Sequence, residues 1–304
     1  MDIDLLAPPP PMTAVAIAPA HHGDEKKLSD ALHKLAAEDP GIRIEYNASV
    51  NETVLYGMGD LHLRVLLERM KERFNVEVAT QPPSIAYRET VRSNAEGHHR
   101  HKKQTGGAGQ FGEVFLRIEP LERGAGFEFV DHIVGGVIPS QFIPAVEKGV
   151  RQVLETGAIG GFPMQDIRVV VYDGKYHPVD SKEVAFIAAG KKAFLDAIAQ
   201  AKPVILEPIV NMKILVPGEK VGDITGDLSG KHGRINGTNT HASGQLEIIA
   251  QAPLSALVDY QSTLKSITGG EGSYTVEFSH YEAVPPDIQQ RLANAYKPQE
   301  EDSN

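Results

Sequence analysis

Twice along this chain the apolar residues fall into the order strand, helix, strand, strand, helix, strand, and that repetition limits the available folds more than any other feature. In the first pass, alternating or β-branched runs at Ala14–Ala18, Ile42–Tyr46, Thr53–Tyr56 and Val76–Ala79 read as strands. Between them, Asp24–Glu38 places Leu28, Ala31, Leu32 and Leu35 on one helical face, and Asp60–Phe74 does the same with Leu61, Val65, Leu66 and Met70. Those spacings predict core positions rather than a cofactor site. In the second pass the strands are Pro208–Val216, Arg234–Thr238, Leu246–Ala252 and Ser273–Phe278, and the helices are Lys220–Leu228 and Leu254–Ser266.

Each pass is a βαββαβ unit, the ferredoxin-like arrangement. The expected fold class is therefore α+β, with two ferredoxin-like domains flanking a middle α+β domain. A length of 304 residues fits two or three domains of about 100 residues each. The expected division is a linker or cut end at 1–12, domains at 13–82, 83–206 and 207–283, and a C-terminal tail at 284–304. The run Pro8-Pro9-Pro10-Pro11 marks the first boundary, since it continues neither a helix nor a central strand. Pro82-Pro83 and Glu207-Pro208 read as mobile boundaries between modules.

The middle segment opens with strand-like Ile85–Val91 and contains a helix over about Gln141–Glu155 and a strand at Ile167–Tyr172. After that strand, Asp180 or Ser181 is placed to cap a helix running to about Ala201. The same segment holds the run Arg100-His101-Lys102-Lys103-Gln104-Thr105-Gly106-Gly107-Ala108-Gly109-Gln110-Phe111-Gly112, in which cations are followed by four glycines and then by strand sequence. Glycine removes the Cβ that holds a phosphate or base away from the backbone, and it permits positive φ where a loop turns sharply. A flexible hairpin with solvated lysines fits the run equally well. It does not fit a nucleotide-binding loop of the common kinds, because no Lys-Ser/Thr pair follows the last glycine and no helix opens there. An extended phosphate backbone suits it better than a nucleotide at a helix N-terminus.

There are no cysteines, so disulfides, thiolate metal sites and a cysteine nucleophile are excluded. No apolar run is long enough to span a membrane and no signal-peptide pattern opens the chain, so a cytoplasmic location and no membrane partner are expected. The net charge of −10 opposes general coating of nucleic acid. Any RNA contact has to be local, made where loops concentrate lysine and arginine on an acidic body. In Gly97-His98-His99-Arg100-His101, strand alternation lets only His99 and His101 converge, so the cluster reads as a solvated basic patch rather than a metal site. An enzyme in which His177 works with Asp180 or Glu183 as acid and base lacks further carboxylates and histidines at catalytic spacing.

Several motifs in order along the chain resemble elongation factor G. They include Tyr56-Gly57-Met58-Gly59-Asp60-Leu61-His62-Leu63, Ala86-Tyr87-Arg88-Glu89-Thr90, His101-Lys102-Lys103-Gln104-Thr105-Gly106-Gly107, Gly135-Gly136-Val137-Ile138-Pro139, Val179-Asp180-Ser181 and Gly222-Asp223-Ile224-Thr225-Gly226-Asp227-Leu228. The resemblance covers roughly residues 13–283 and points to the third, fourth and fifth domains of that translational GTPase. It implies a middle domain with the fold of a ribosomal protein, whose tip enters the small-subunit decoding site as tRNA and mRNA move. It implies ribosomal, transfer and messenger RNA as partners of a monomer, and no cofactor in this chain, since no Walker A pattern occurs; GTP and magnesium belong to a preceding part of the parent.

By the same resemblance, the RNA-facing residues are Lys102, Lys103, Gln104, Thr105, Gly106, Gly107 and Gln110 on one tip loop and Lys175, His177, Asp180 and Ser181 on the other, with Lys231 and Arg234 in the fifth domain. The chain departs from the family at four places. Ala108 and Glu271 stand where the family carries arginine, Gly230-Lys231-His232 replaces a more basic stretch, and Pro178 follows His177 where the family has aspartate. Lost cations on RNA-facing loops weaken phosphate contact, which implies a divergent paralogue.

Overall fold

The first repeat builds a four-stranded antiparallel sheet. A computed structural model describes residues 11–104, 109–241 and 244–297. In chain order, β1 (Thr13–Pro19), α1 (Glu25–Glu38), β2 (Arg43–Asn47), β3 (Glu52–Gly57), α2 (Asp60–Phe74) and β4 (Val78–Gln81) give the sheet order β2-β3-β1-β4. Leu28, Leu32 and Leu35 of α1 and Leu63, Leu66 and Met70 of α2 pack over Ile17 and Leu55. Leu61, expected in this core, is instead 71% exposed. The buried stripe of α2 starts two residues later, at Leu63, so Leu61 falls on the opposite side of the first turn.

The middle segment comprises β5 (Arg88–Thr90), β6 (Ala95–Lys103), β7 (Gln110–Pro120), β8 (Phe127–Asp131), α3 (Ile143–Thr156), β9 (Ile167–Lys175) and α4 (Glu183–Gln200). Its sheet has the order β6-β7-β9-β8, antiparallel except for the parallel β8/β9 pair. Val114, Leu116 and Ile118 of β7 and Val169 and Val171 of β9 form one core with Val146, Val150, Phe186, Ala193 and Phe194 of the two helices. Gly112 sits in β7 without a positive φ, and its reason is contact: a Cβ there would lie 3.1 Å from the Ala185 carbonyl oxygen.

The C-terminal segment runs β10 (Val204–Pro217), α5 (Val221–Gly230), β11 (Arg234–Thr240), β12 (Gln245–Pro253), α6 (Tyr260–Thr268), β13 (Ser273–Ala283) and α7 (Pro286–Ala295). The order β11-β12-β10-β13 repeats that of the first sheet, position for position. The chain divides into two units. One contains residues up to Ala86 with Pro208–His280, and the other contains Tyr87–Glu207 with the residues from Tyr281 on.

The structure corrects several expectations. The first strand of the middle segment shrinks to Arg88–Thr90, because only those residues find a partner, in Val204–Leu206 of β10. The two units do divide at Glu207-Pro208, but the pair lies inside the continuous strand β10, with Glu207 buried. Just after Pro82-Pro83, and within the first unit, the Glu52 carboxylate accepts the Ser84 N–H at 2.9 Å and the Ser84 hydroxyl at 2.7 Å. The expected helix Leu254–Ser266 breaks into a single 3₁₀ turn and α6, with Asp259 between them at φ +60°, a conformation that aspartate tolerates. Neither Asp180 nor Ser181 caps α4. Lys182 holds that position, and no side chain caps the helix. The segment beyond 283 contains α7, whose Gln289 accepts the Ile205 N–H and donates to the Pro203 carbonyl.

Glu89 is fully buried and takes four backbone N–H groups, from Ala158, Ile159, Gly160 and Phe162, at 2.7–3.0 Å. Its own N–H and carbonyl bond to Pro163 and Gln165. Glu89→Ala is expected to leave four donors unpaired in the interior and to cost more than about 3 kcal/mol, read as a lowered denaturant midpoint. In the other unit the Tyr274 hydroxyl donates to the Met12 carbonyl at 2.7 Å, and burial pushes its pKa up to about 12. A folded pKa raised above the unfolded value means that this group's stabilisation is complete below about pH 10 and fades as pH climbs towards 12. Far-ultraviolet circular dichroism across that window is expected to show alkaline unfolding that Tyr274→Phe shifts to higher pH, despite the hydrogen bond it gives up at neutral pH.

Candidate nucleic-acid interface

Strands β6, β7 and β9 end together, and the segments leaving them line a cleft of about 490 Å³. Arg100, Lys102 and Lys103 come from β6, Gln110 and Phe111 from β7, and Lys175, Tyr176, His177 and Asp180 from the end of β9 and the loop before α4. Four lysines and arginines against one carboxylate make the cleft net positive on a chain of net charge −10. Such a concentration raises the local density of an anionic partner. Lys102 and Lys103 alternate along β6, as do the residues of Lys175's strand, so their charges are fixed to sheet positions rather than to a floppy loop.

Two loops more than sixty residues apart are clasped to each other. Asp180 Oδ1 accepts the Gly109 N–H at 3.1 Å, and the Asp180 carbonyl accepts the Phe111 N–H at 3.0 Å. The Ser181 hydroxyl donates to the Phe111 carbonyl at 2.9 Å and accepts the His177 N–H at 2.8 Å. A Cβ on Gly109 would stand 3.0 Å from the Asp180 carboxyl carbon, so the clasp needs glycine there. Asp180 and Ser181 thus hold the tip together with the groups that sequence reasoning aimed at RNA.

His177 is half-exposed, and its Nδ1 accepts the N–H groups of Val179 and Asp180 at 3.4 and 3.2 Å. That use leaves the ring proton on Nε2, a donor available to an incoming acceptor. Nδ1 also lies 3.3 Å from Asp180 Oδ2. Gln104 and Lys175 are exposed at the rim, and Gln110 bonds the His101 ring at 3.2 Å. Thr105, Gly106 and Gly107 lie outside the described residues.

The remaining candidates belong to the other unit. Lys231 is engaged with Asp227 at 2.9 Å, one helical turn away, and only a quarter of its side chain is exposed. Arg234 is exposed at the start of the edge strand β11. Val137, in the loop after β8, lines the cleft, and sequence reasoning missed it because nothing in its surroundings separates it from core valines. His98, read as solvated, stacks on Phe115 and bonds Glu113. Among the described residues no group of histidine and carboxylate side chains is placed to hold a metal. Glu183, considered as an acid–base partner of His177, faces Lys148 at 3.8 Å.

Comparison with known proteins matches three successive stretches of the chain. Residues 8–82 match the model of elongation factor G domain III, residues 83–202 that of domain IV, and residues 204–292 that of the elongation factor G C-terminus. The chain belongs to the elongation factor G family. It is 45% identical over 284 residues to an elongation factor G-like protein of Thermotoga maritima, covering 93% of this chain and 42% of that protein. A crystal structure of a protein from Thermus thermophilus superposes with a TM-score of 0.77 at 42% identity, over 94% of this chain and 43% of the other. The chain therefore spans about two fifths of the length of these relatives.

Asp180→Ala is expected to leave the sheet intact while opening the clasp. Hydrogen exchange at the Gly109 amide should speed up roughly tenfold or more, with a global loss near 1 kcal/mol. Unchanged protection at that amide would show that Asp180 does not hold the two loops together.

Proposed function

We propose that this chain is the ribosome-binding portion of an elongation-factor-G-like translation factor, acting in the movement of tRNA and mRNA. The tip of the middle domain enters the decoding region of the small subunit, with Lys102, Lys103, Gln104, Gln110 and Lys175 on phosphates and His177 donating to an RNA acceptor. The single observation that carries this reading is the cationic cleft, formed on an acidic chain by two clasped loops. Thr105, Gly106 and Gly107 belong to the same proposed surface, as Arg234 does to a second contact on the fifth domain, and Asp180 and Ser181 serve it by holding the loops. GTP hydrolysis is assigned to a different part of the parent protein, so this chain binds neither GTP nor magnesium.

Substitutions in the parent protein separate the roles. Lys103→Ala should weaken ribosome affinity and flatten its salt dependence by at most about one unit of logarithmic slope. His177→Ala should lower the rate of single-round translocation more than it weakens binding, as expected for a contact strengthened along the reaction. Unchanged affinity, slope and rate in both variants would discard the tip assignment. A second reading, a paralogue devoted to ribosome protection, recycling or stress response, draws on Ala108, Glu271 and Pro178, which depart from the family's pattern. A parent protein that binds ribosomes yet moves no tRNA favours it.

A further inference from the structure

One face of the middle sheet is covered by α3 and α4, and Gly97 of β6 lies directly beneath α4, where a Cβ would meet the Ala193 carbonyl. Strand alternation therefore turns His98, Arg100 and Lys102 to the opposite face, where all three are exposed. Phe111, Glu113 and Phe115 of β7 share that face, since His98 pairs with Phe115, Arg100 with Glu113 and Lys102 with Phe111.

Their arrangement is ordered. The His98 ring lies flat on Phe115, with centroids 4.0 Å apart and planes 20° from parallel, and its Nε2 meets Glu113 Oε1 at 2.9 Å. The Arg100 guanidinium lies over Phe111 at 5.3 Å and stands 3.8 Å from Glu113 Oε2. Glu113 is the common holder. Its side chain is 8% exposed, and Oε2 has no hydrogen-bond partner among the described residues. A buried carboxylate without full pairing is costly, and packing alone gives no reason for it here. What it does is fix two planar groups, two residues apart on one strand and so about 7 Å from each other, each backed by an aromatic ring.

We propose that this open face is a stacking platform for unpaired RNA, with one base on His98 and the next on Arg100. The strand is the one that leaves the tip cleft. Arg100 and Phe111 line both the cleft and the platform, Phe111 meets the His177 ring edge-on at 6.4 Å, and Lys102 and Lys175 supply phosphate contacts along the way. Towards the far end of the sheet, Arg117 and Arg168 are tied to Glu119 and Glu128, so the platform ends at the His98–Phe115 stack. The proposal rests on the reading of the tip as an RNA-binding element and extends it to a surface with its own chemistry. Stacking on neutral rings gives affinity that does not depend on salt, whereas the phosphate contacts of the cleft give affinity that falls as salt rises.

The test uses the whole chain and a fluorescein-labelled single-stranded RNA hexamer, with an RNA duplex for comparison, read by fluorescence anisotropy over a series of salt concentrations. His98→Ala should weaken hexamer binding about tenfold, leave the salt slope unchanged and leave duplex binding unchanged. His98→Tyr, which keeps a stacking ring, should bind within about threefold of the wild type. Arg100→Ala should weaken binding and also flatten the slope by about 0.7. If His98→Ala unfolds the sheet, Phe115→Leu, which removes the ring behind His98 while keeping an apolar side chain, carries the same expectation. Hexamer binding that ignores both His98 and Arg100 but falls with Lys103→Ala overturns the platform and leaves the tip reading standing. Failure of the wild type to bind the hexamer also overturns it. Failure of the tip reading is seen separately, as a parent protein whose ribosome affinity is indifferent to Lys103.

Discussion

The middle domain hangs on one buried charge. Glu89 enters the interior on a strand of only three residues, too short to be held by pairing alone, and its carboxylate is enclosed by the backbone of residues 158–162. An ionised group in an apolar interior is tolerated when its lone pairs are filled, and four N–H groups fill them. Around that anchor the base of the domain is assembled. The Pro163–Gln165 backbone binds the main chain of Glu89, β10 pairs with β5, and Tyr296, just beyond α7, lies against Gly161. Strands β7 and β9 run from this fixed base to the cationic cleft, so the charges at the tip rest on a scaffold rather than on loops.

Much of this was legible in the sequence because it follows from period. Amphipathic spacing gave the element order of both βαββαβ units, with α2 read as Asp60–Phe74 and found there. What escaped was set by partners distant in sequence. Ile85–Val91 has the composition of a strand, yet its length is fixed by how much of β10 is available to pair. Asp259 looks like one more helical residue and instead breaks the helix by adopting a left-handed conformation. Gly112 looked like a residue needed for a turn and is needed for the approach of α4.

The site was legible in its residue types and less so in their roles. Lysines followed by glycines mark the cleft, and the structure does bring the two loops together. The acidic and hydroxyl groups there, Asp180 and Ser181, are spent on holding those loops, because a cationic cleft still needs acceptors for its own backbone N–H groups. Lys231 shows the converse. A cation one turn from an aspartate on a helix pairs with it first, and no local pattern distinguishes that lysine from one facing a ligand.

Strand β9 carries one residue more than its partner requires. Val171 pairs with Leu116 and Asp173 with Phe115, so Tyr172 is left over as a bulge. Every position after it is shifted by one, which turns Gly174 towards the helices and Lys175 away from them, opposite Glu113. Gain of a single residue between the bulge and the tip, with the bulge kept, would shift the pairing by one, set Lys175 against Gly112 and drive an ammonium group into the helix layer. The number of residues between the bulge and the tip decides which face of the sheet carries the cation. A substitution there leaves the register as it is, while an in-frame insertion of one codon would turn the cation inward and disrupt the core at once.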